Sequence, residues 1–173
     1  MQKLAIVTAL LALAATTFAA EPPKPADRPN TPAFEKLKSL AGDWTMAGGD
    51  GSVASSWKVT ANGTAVVETL FPGQAHEMLT VYTLHGGDLH LTHYCAAGNQ
   101  PEMKSDKHAD DKKMVFQFTG GPGINPKKDM HMHGVTLTFP DGGVHEEWTT
   151  LADGKPGDNK VFDLKRVAPP AAK

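Results

Sequence analysis

Apolar residues recur along this chain at two periods, and the point where the period changes divides it. From Ala33 to Ala41, AFEKLKSLA, the residues Phe34, Leu37 and Leu40 share one stripe at helical spacing, with Thr31 near the start as a cap and Gly42 after the end. One short amphipathic helix is predicted there. Beyond it the apolar positions alternate with polar ones: Val53, Ser55, Trp57 and Val59; Leu79, Val81 and Thr83; Leu89 and Leu91; then Val135, Leu137 and Phe139. Each run predicts a strand with one face turned to a core. Between the runs lie turn sequences such as Ala61-Asn62-Gly63-Thr64, Gly86-Gly87-Asp88 and Pro140-Asp141-Gly142-Gly143, which suit hairpins. The longest irregular piece, Gly120 to Lys128, predicts a loop. One helix and many hairpin-linked strands favour an all-β fold: an antiparallel up-and-down β-barrel of about 8–10 strands, because closure removes the exposed sheet edges.

The ends of the chain read differently. MQKLAIVTALLALAATTFAA joins an early Lys3 to an apolar run and a small-residue end, the pattern of a secretory signal peptide cleaved after Ala19. The apolar run is shorter than the ~20 residues a spanning helix needs, so no membrane span is expected after cleavage. Residues 20–32 form a tether rich in proline, residues 33–167 the barrel domain, and residues 168–173 a flexible tail. Removing the signal leaves about 150 residues, enough for one domain with a sizeable core. A formal charge of −2 with scattered basic residues gives no footprint for nucleic acid. A single cysteine, Cys95, rules out an internal disulfide, so the fold must stand on its core and the thiol needs its own explanation.

Gly42-Asp43-Trp44 follows the helix and opens the first strand, while Lys165-Arg166 lies in the last. This resembles the lipocalin and fatty-acid-binding superfamily. By that resemblance Gly42 and Trp44 are structural, and Arg166 or Lys165 covers the indole face as a cation–π partner. The segments Leu37 to Trp44, His76 to Tyr82, Leu91 to Pro101, His131-Met132-His133 and Glu147-Trp148-Thr149 are similar to a group of exported bacterial lipocalin-like, calycin-type β-barrel proteins. The likeness implies the fold and a periplasmic or secreted location; it carries no activity across.

Alternation also selects a candidate site. In KDMHMHGVTLTF, His131 and His133 share the parity of Val135, Leu137 and Phe139, whereas Met130 and Met132 share that of Gly134 and Thr136. Only an irregular backbone at Gly134 would reunite the methionines with the histidines. In LHLTHYC, His93 and Cys95 share the parity of Leu89 and Leu91. Three histidines and the thiol are thus predicted to face inward. Histidines at i and i+2 on a strand lie ~6.6 Å apart along the chain, and both imidazoles can lean onto one ion. With His93 as a third ligand, the set His93, His131 and His133 would suit zinc or copper, and Glu68, Glu77 or Glu147 could orient the rings. A single histidine could instead hold haem.

The plainer reading is a pocket. Trp57, Leu79, Val81, Leu91, Val135, Leu137 and Phe139 would line an interior accepting a small apolar or amphipathic molecule. His93, Cys95, His131 and His133 would add polar points, and Asn99 and Gln100 would lie at the mouth. The alternative is a zinc, copper or haem protein, in which a three-histidine metal could activate water. Phosphate loops, dinucleotide fingerprints and serine-hydrolase elbows are all absent from the sequence, and Cys95 and His93 on one strand run parallel rather than face each other. The chain therefore reads first as an exported binding protein, with an enzyme built on a three-histidine metal as the less favoured reading.

Overall fold

A computed structural model describes residues 30–168. The expected signal peptide, most of the tether and nearly all of the tail lie outside the described residues.

The helix α1 spans Pro32–Ser39, with the Thr31 hydroxyl accepting from the Phe34 amide at 3.2 Å. It starts one residue earlier than expected because Pro32 takes the first helical position, where a missing N–H costs nothing. Its buried face, Ala33, Phe34 and Leu37, joins the core. The strands are β1 (Gly42–Met46), β2 (Val53–Thr60), β3 (Ala65–Leu70), β4 (Met78–His85), β5 (Asp88–Tyr94), β6 (Glu102–Ser105), β7 (Lys113–Gly120), β8 (His131–Thr138), β9 (Val144–Ala152), β10 (Lys155–Pro156) and β11 (Lys160–Arg166).

Consecutive strands from β1 to β9 pair antiparallel, and β11 bridges β9 to β1, closing a ten-stranded barrel; β10 is a two-residue addition beside the end of β9. Every barrel strand is therefore paired on both sides. Up-and-down order sends alternate loops to opposite ends. The helix precedes β1 and plugs the end where β2 turns into β3 and β4 into β5. The other end carries the loops after β1, β3, β5, β7 and β9. No described helix is long and apolar enough to cross a membrane.

Arg166 ties the plug to the wall. Its guanidinium lies 4.4 Å from the Trp44 ring and donates to the carbonyls of Ala41 (2.7 Å) and Ser39 (2.8 Å), groups that the helix end leaves without partners. The indole in turn donates to Leu40 O at 2.8 Å. Gly42 is required at this crossing: its φ is +125°, and a Cβ there would come within 2.9 Å of the guanidinium. Arg166→Ala is expected to cost about 1–2 kcal/mol in urea unfolding, with Arg166→Lys restoring only part because an ammonium cannot fork onto two carbonyls. Full rescue by lysine would contradict this account.

The lower interior is filled. Trp57, Tyr82, Leu89, Leu91, Met103, Met114, Phe116, Val135 and Leu137 all belong to one buried cluster, with the Trp57 and Tyr82 rings stacked at 5.3 Å. Two strands differ from expectation. In β4 the inward residues are Thr80 and Tyr82, not Leu79 and Val81, which are half-buried on the outer face. In β8 the pairing with β9 slips between Met132 and Gly134, a β-bulge at His133. Gly134 permits it, since a Cβ there would press to 2.9 Å from Phe116 O. Beyond a bulge the inward parity changes, and with it the contents of the open end.

Candidate functional site at the open end of the barrel

A cavity of about 290 Å³ opens at the end opposite the helix. Leu70, Phe71 and Met78 reach it from β3 and β4, Met130 and Met132 from the start of β8, and Trp148 and Phe162 from β9 and β11. His93, Cys95 and Lys160 supply its few polar groups, and Ala96 and Ala97 form part of the rim.

Register explains how His93 arrives there. Trp57, Glu68, Thr80 and His93 are successive cross-strand partners over β2 to β5, so their side chains share one inward row. His93 is 1 % exposed, its Nδ1 lies 2.9 Å from Thr80 Oγ1, and its ring packs 4.6 Å from that of Trp148. Nε2 has no hydrogen-bond partner. Burial pushes the His93 pKa down to about 4, so the imidazole is neutral at physiological pH.

Behind it runs a buried polar network. The Tyr82 phenol donates to Glu68 at 3.0 Å and Ser55 donates to the same carboxyl at 2.9 Å. Glu68 is hydrogen-bonded to Glu146, which accepts from the Trp148 indole at 2.9 Å. Both carboxyls are wholly buried, and their pKa values rise: burial is the main cause for each, and the neighbouring Glu146 charge adds to the rise at Glu68. Burial thus holds both carboxyls toward their protonated forms, and the two titrate as one pair.

Tyr82 donates to Glu68 and so its oxygen accepts from Thr80, with which it is also bonded. Thr80 Oγ1 is in turn hydrogen-bonded to His93 Nδ1. The Thr80 hydroxyl thus occupies Nδ1, and Nε2 is the ring nitrogen without a hydrogen-bond partner. Trp148 closes the circuit by bonding Glu146 at one edge and packing on His93 at its face.

No family model matches this chain, and no curated protein matches it either. Its chemistry must be read from the site itself.

The expected residues divide. His93 and Cys95 line the cavity. Trp57, Leu91 and Leu137 lie in the packed core instead. Asn99 Nδ2 donates to Met130 O at 2.6 Å, latching the β5–β6 loop to the start of β8, while Gln100 bonds within its own loop at 3.5 Å. His131 and His133 are not at the cavity. His131 Nδ1 is 2.8 Å from Asp129 O, its Nε2 is 3.1 Å from His133 Nδ1, and both rings pack on Phe118. The bulge sends His133 to a groove on the outer face beside Val115, Gln117 and Thr149. The set His93, His131 and His133 is thus not brought together, and among the described residues no three His, Cys, Asp or Glu side chains form a metal-holding group. Of the carboxylates expected to orient the imidazoles, Glu68 acts on His93 through Tyr82 and Thr80 rather than directly, whereas Glu147 bonds Asn159 at 2.8 Å on the outer face.

Sequence reasoning missed Trp148, Glu146, Thr80, Met78 and Phe162. Glu146 and Trp148 share one strand parity, a signal available in VHEEWTTL, but two adjacent glutamates hid which one faces inward.

Proposed function

We propose that this is an exported, lipocalin-like barrel that binds a small apolar or amphipathic molecule at its open end. The observation carrying the reading is a cavity walled by Leu70, Phe71, Met78, Met132, Trp148 and Phe162 beside a single buried imidazole whose Nε2 has no hydrogen-bond partner. Its volume, about 290 Å³, lies at the small end of the ~300–1,000 Å³ range typical of ligand pockets. The apolar wall supplies affinity through desolvation, and His93 Nε2 orients the ligand by accepting a hydrogen bond from its hydroxyl or N–H group. Lys160 at the rim meets the polar end of an amphipathic ligand.

Titration with an anilinonaphthalene sulfonate probe tests the site. One saturable binding event per chain is expected, weakened about tenfold by Ala97→Trp, which fills the mouth from an exposed position and leaves the core untouched. Absence of saturable binding, or binding indifferent to Ala97→Trp, would sink the reading. Export is tested separately by sequencing the N-terminus of the chain recovered from the periplasm or medium of a bacterial host, which should begin at Ala20; retention of Met1 in an intracellular product would refute it.

A further inference from the structure

The β8 bulge changes the donor chemistry of the open end. It brings Met130 and Met132 into the cavity that holds His93 and Cys95, and Met78 joins them from β4. Three thioethers, one thiol and one imidazole therefore line the same space. The imidazole is 1 % exposed, and its Nε2 has no partner. Such a nitrogen, buried and unbonded, points to a ligand that the wall itself does not provide.

We infer that this cavity is a binding site for one Cu(I) ion, held by His93 Nε2, Cys95 Sγ and the Met132 thioether. Soft sulfur donors with a neutral imidazole select Cu(I) over harder dications, and no carboxylate lines the cavity to favour calcium, magnesium or manganese. Charge agrees. Binding breaks the Cys95 S–H bond, forms a Cu–S bond and releases one proton to solvent, so a monovalent ion and one thiolate leave the apolar cavity neutral. A dication would leave one buried positive charge uncompensated. No electron moves, because copper arrives already reduced. Thr80, backed by Tyr82 and Glu68, occupies Nδ1 and leaves Nε2 as the free ring nitrogen, the part that groups behind a metal-bound histidine play. Met130, 45 % exposed at the rim, offers an arriving ion its first thioether. This inference shares the cavity of the apolar-ligand reading without resting on it; the two ligands exclude one another.

The test uses the whole mature chain, free of any histidine tag, anaerobic and with ascorbate present, titrated with Cu(I) against a chromophoric Cu(I) chelator. One Cu(I) per chain is expected. The methyl resonances of Met130 and Met132 should shift while those of core Met103 and Met114 stay in place. Cys95→Ser and Met132→Leu, both close in volume to the native residues, should each weaken binding more than about tenfold. Near-ultraviolet circular dichroism confirms that each variant is folded. Copper left on the chelator, or stoichiometric binding that survives the Cys95→Ser, Met132→Leu double variant, would overturn the site. Binding of the anilinonaphthalene probe in the same samples separates the two readings: probe retained without copper refutes this inference alone, and copper retained without probe refutes the apolar-ligand reading alone.

Discussion

Trp148→Ala is expected to destabilise the barrel by about 4–5 kcal/mol in urea unfolding, the largest single effect at the open end. Trp148 is 1 % exposed and belongs to the core cluster, so truncation opens a cavity that neighbouring strands, paired on both sides, cannot close. It also strips a donor from a buried carboxyl, since the indole N–H is bonded to Glu146. Trp148→Phe retains most of the packing and loses the donor, and should cost about 2 kcal/mol. The difference between the two variants measures packing, and the phenylalanine cost measures the polar link. A Trp148→Ala penalty below about 1 kcal/mol would mean that the cavity wall collapses freely and that the site is not rigid.

Acid should destabilise the protein through His93 by about 3 kcal/mol between pH 7 and pH 4. The unfolded chain takes a proton at an ordinary histidine pKa of 6.5, whereas the folded chain accepts one only near 4 because burial excludes the charge. Between those values the unfolded state binds more protons, so stability is intact above about 6.5 and is lost as pH falls toward 4. Glu68 and Glu146 pull the other way: their raised pKa values favour the folded state in acid, and that contribution declines as pH rises above the ordinary carboxyl range. The histidine effect is isolated by comparison with His93→Leu, which retains the carboxyl pair. Unfolding free energies of both proteins across this range should converge or cross toward pH 4, the native chain losing about 3 kcal/mol more than the variant. Parallel curves would show that His93 takes up a proton in the folded state and that the cavity is wetter than its apolar wall implies.

How much of this was legible in the chain depends on how one-sided each segment is. Leu89, Leu91 and His93 alternate with His90 and Thr92, and the inward face of β5 was readable without a partner strand. The stripe Phe34, Leu37, Leu40 marked the helical plug, and Thr31 marked its start to within one residue. MLTVYTLH was different. Leu79 and Val81 on one face compete with Met78, Tyr82 and Leu84 on the other, and hydropathy does not choose between them. The choice falls to Tyr82 because its ring stacks on Trp57 and its hydroxyl reaches Glu68, a residue on a different strand. In β8 the alternation implied a regular strand, with an irregular backbone at Gly134 only as the exception, because whether the strand slips there depends on its close approach to Phe116 O.

By itself, then, the sequence determined a helix followed by a closed meander of strands, with Trp44 near the plugged end and His93 turned inward. Period-two patterning and turn chemistry act within a strand or across one hairpin, so they can be read without knowing what lies across the barrel. The tertiary structure alone decided the Glu68–Glu146 pair, the seating of His93 against Thr80 and Trp148, the departure of His131 and His133 from the cavity, and the arrival of Met130 and Met132 in it. Each of those outcomes is an energy of contact between strands far apart in the chain: a carboxyl against a carboxyl, a relay of hydroxyls, a glycine against a carbonyl. Such energies exist only once the barrel has closed and brought those atoms together.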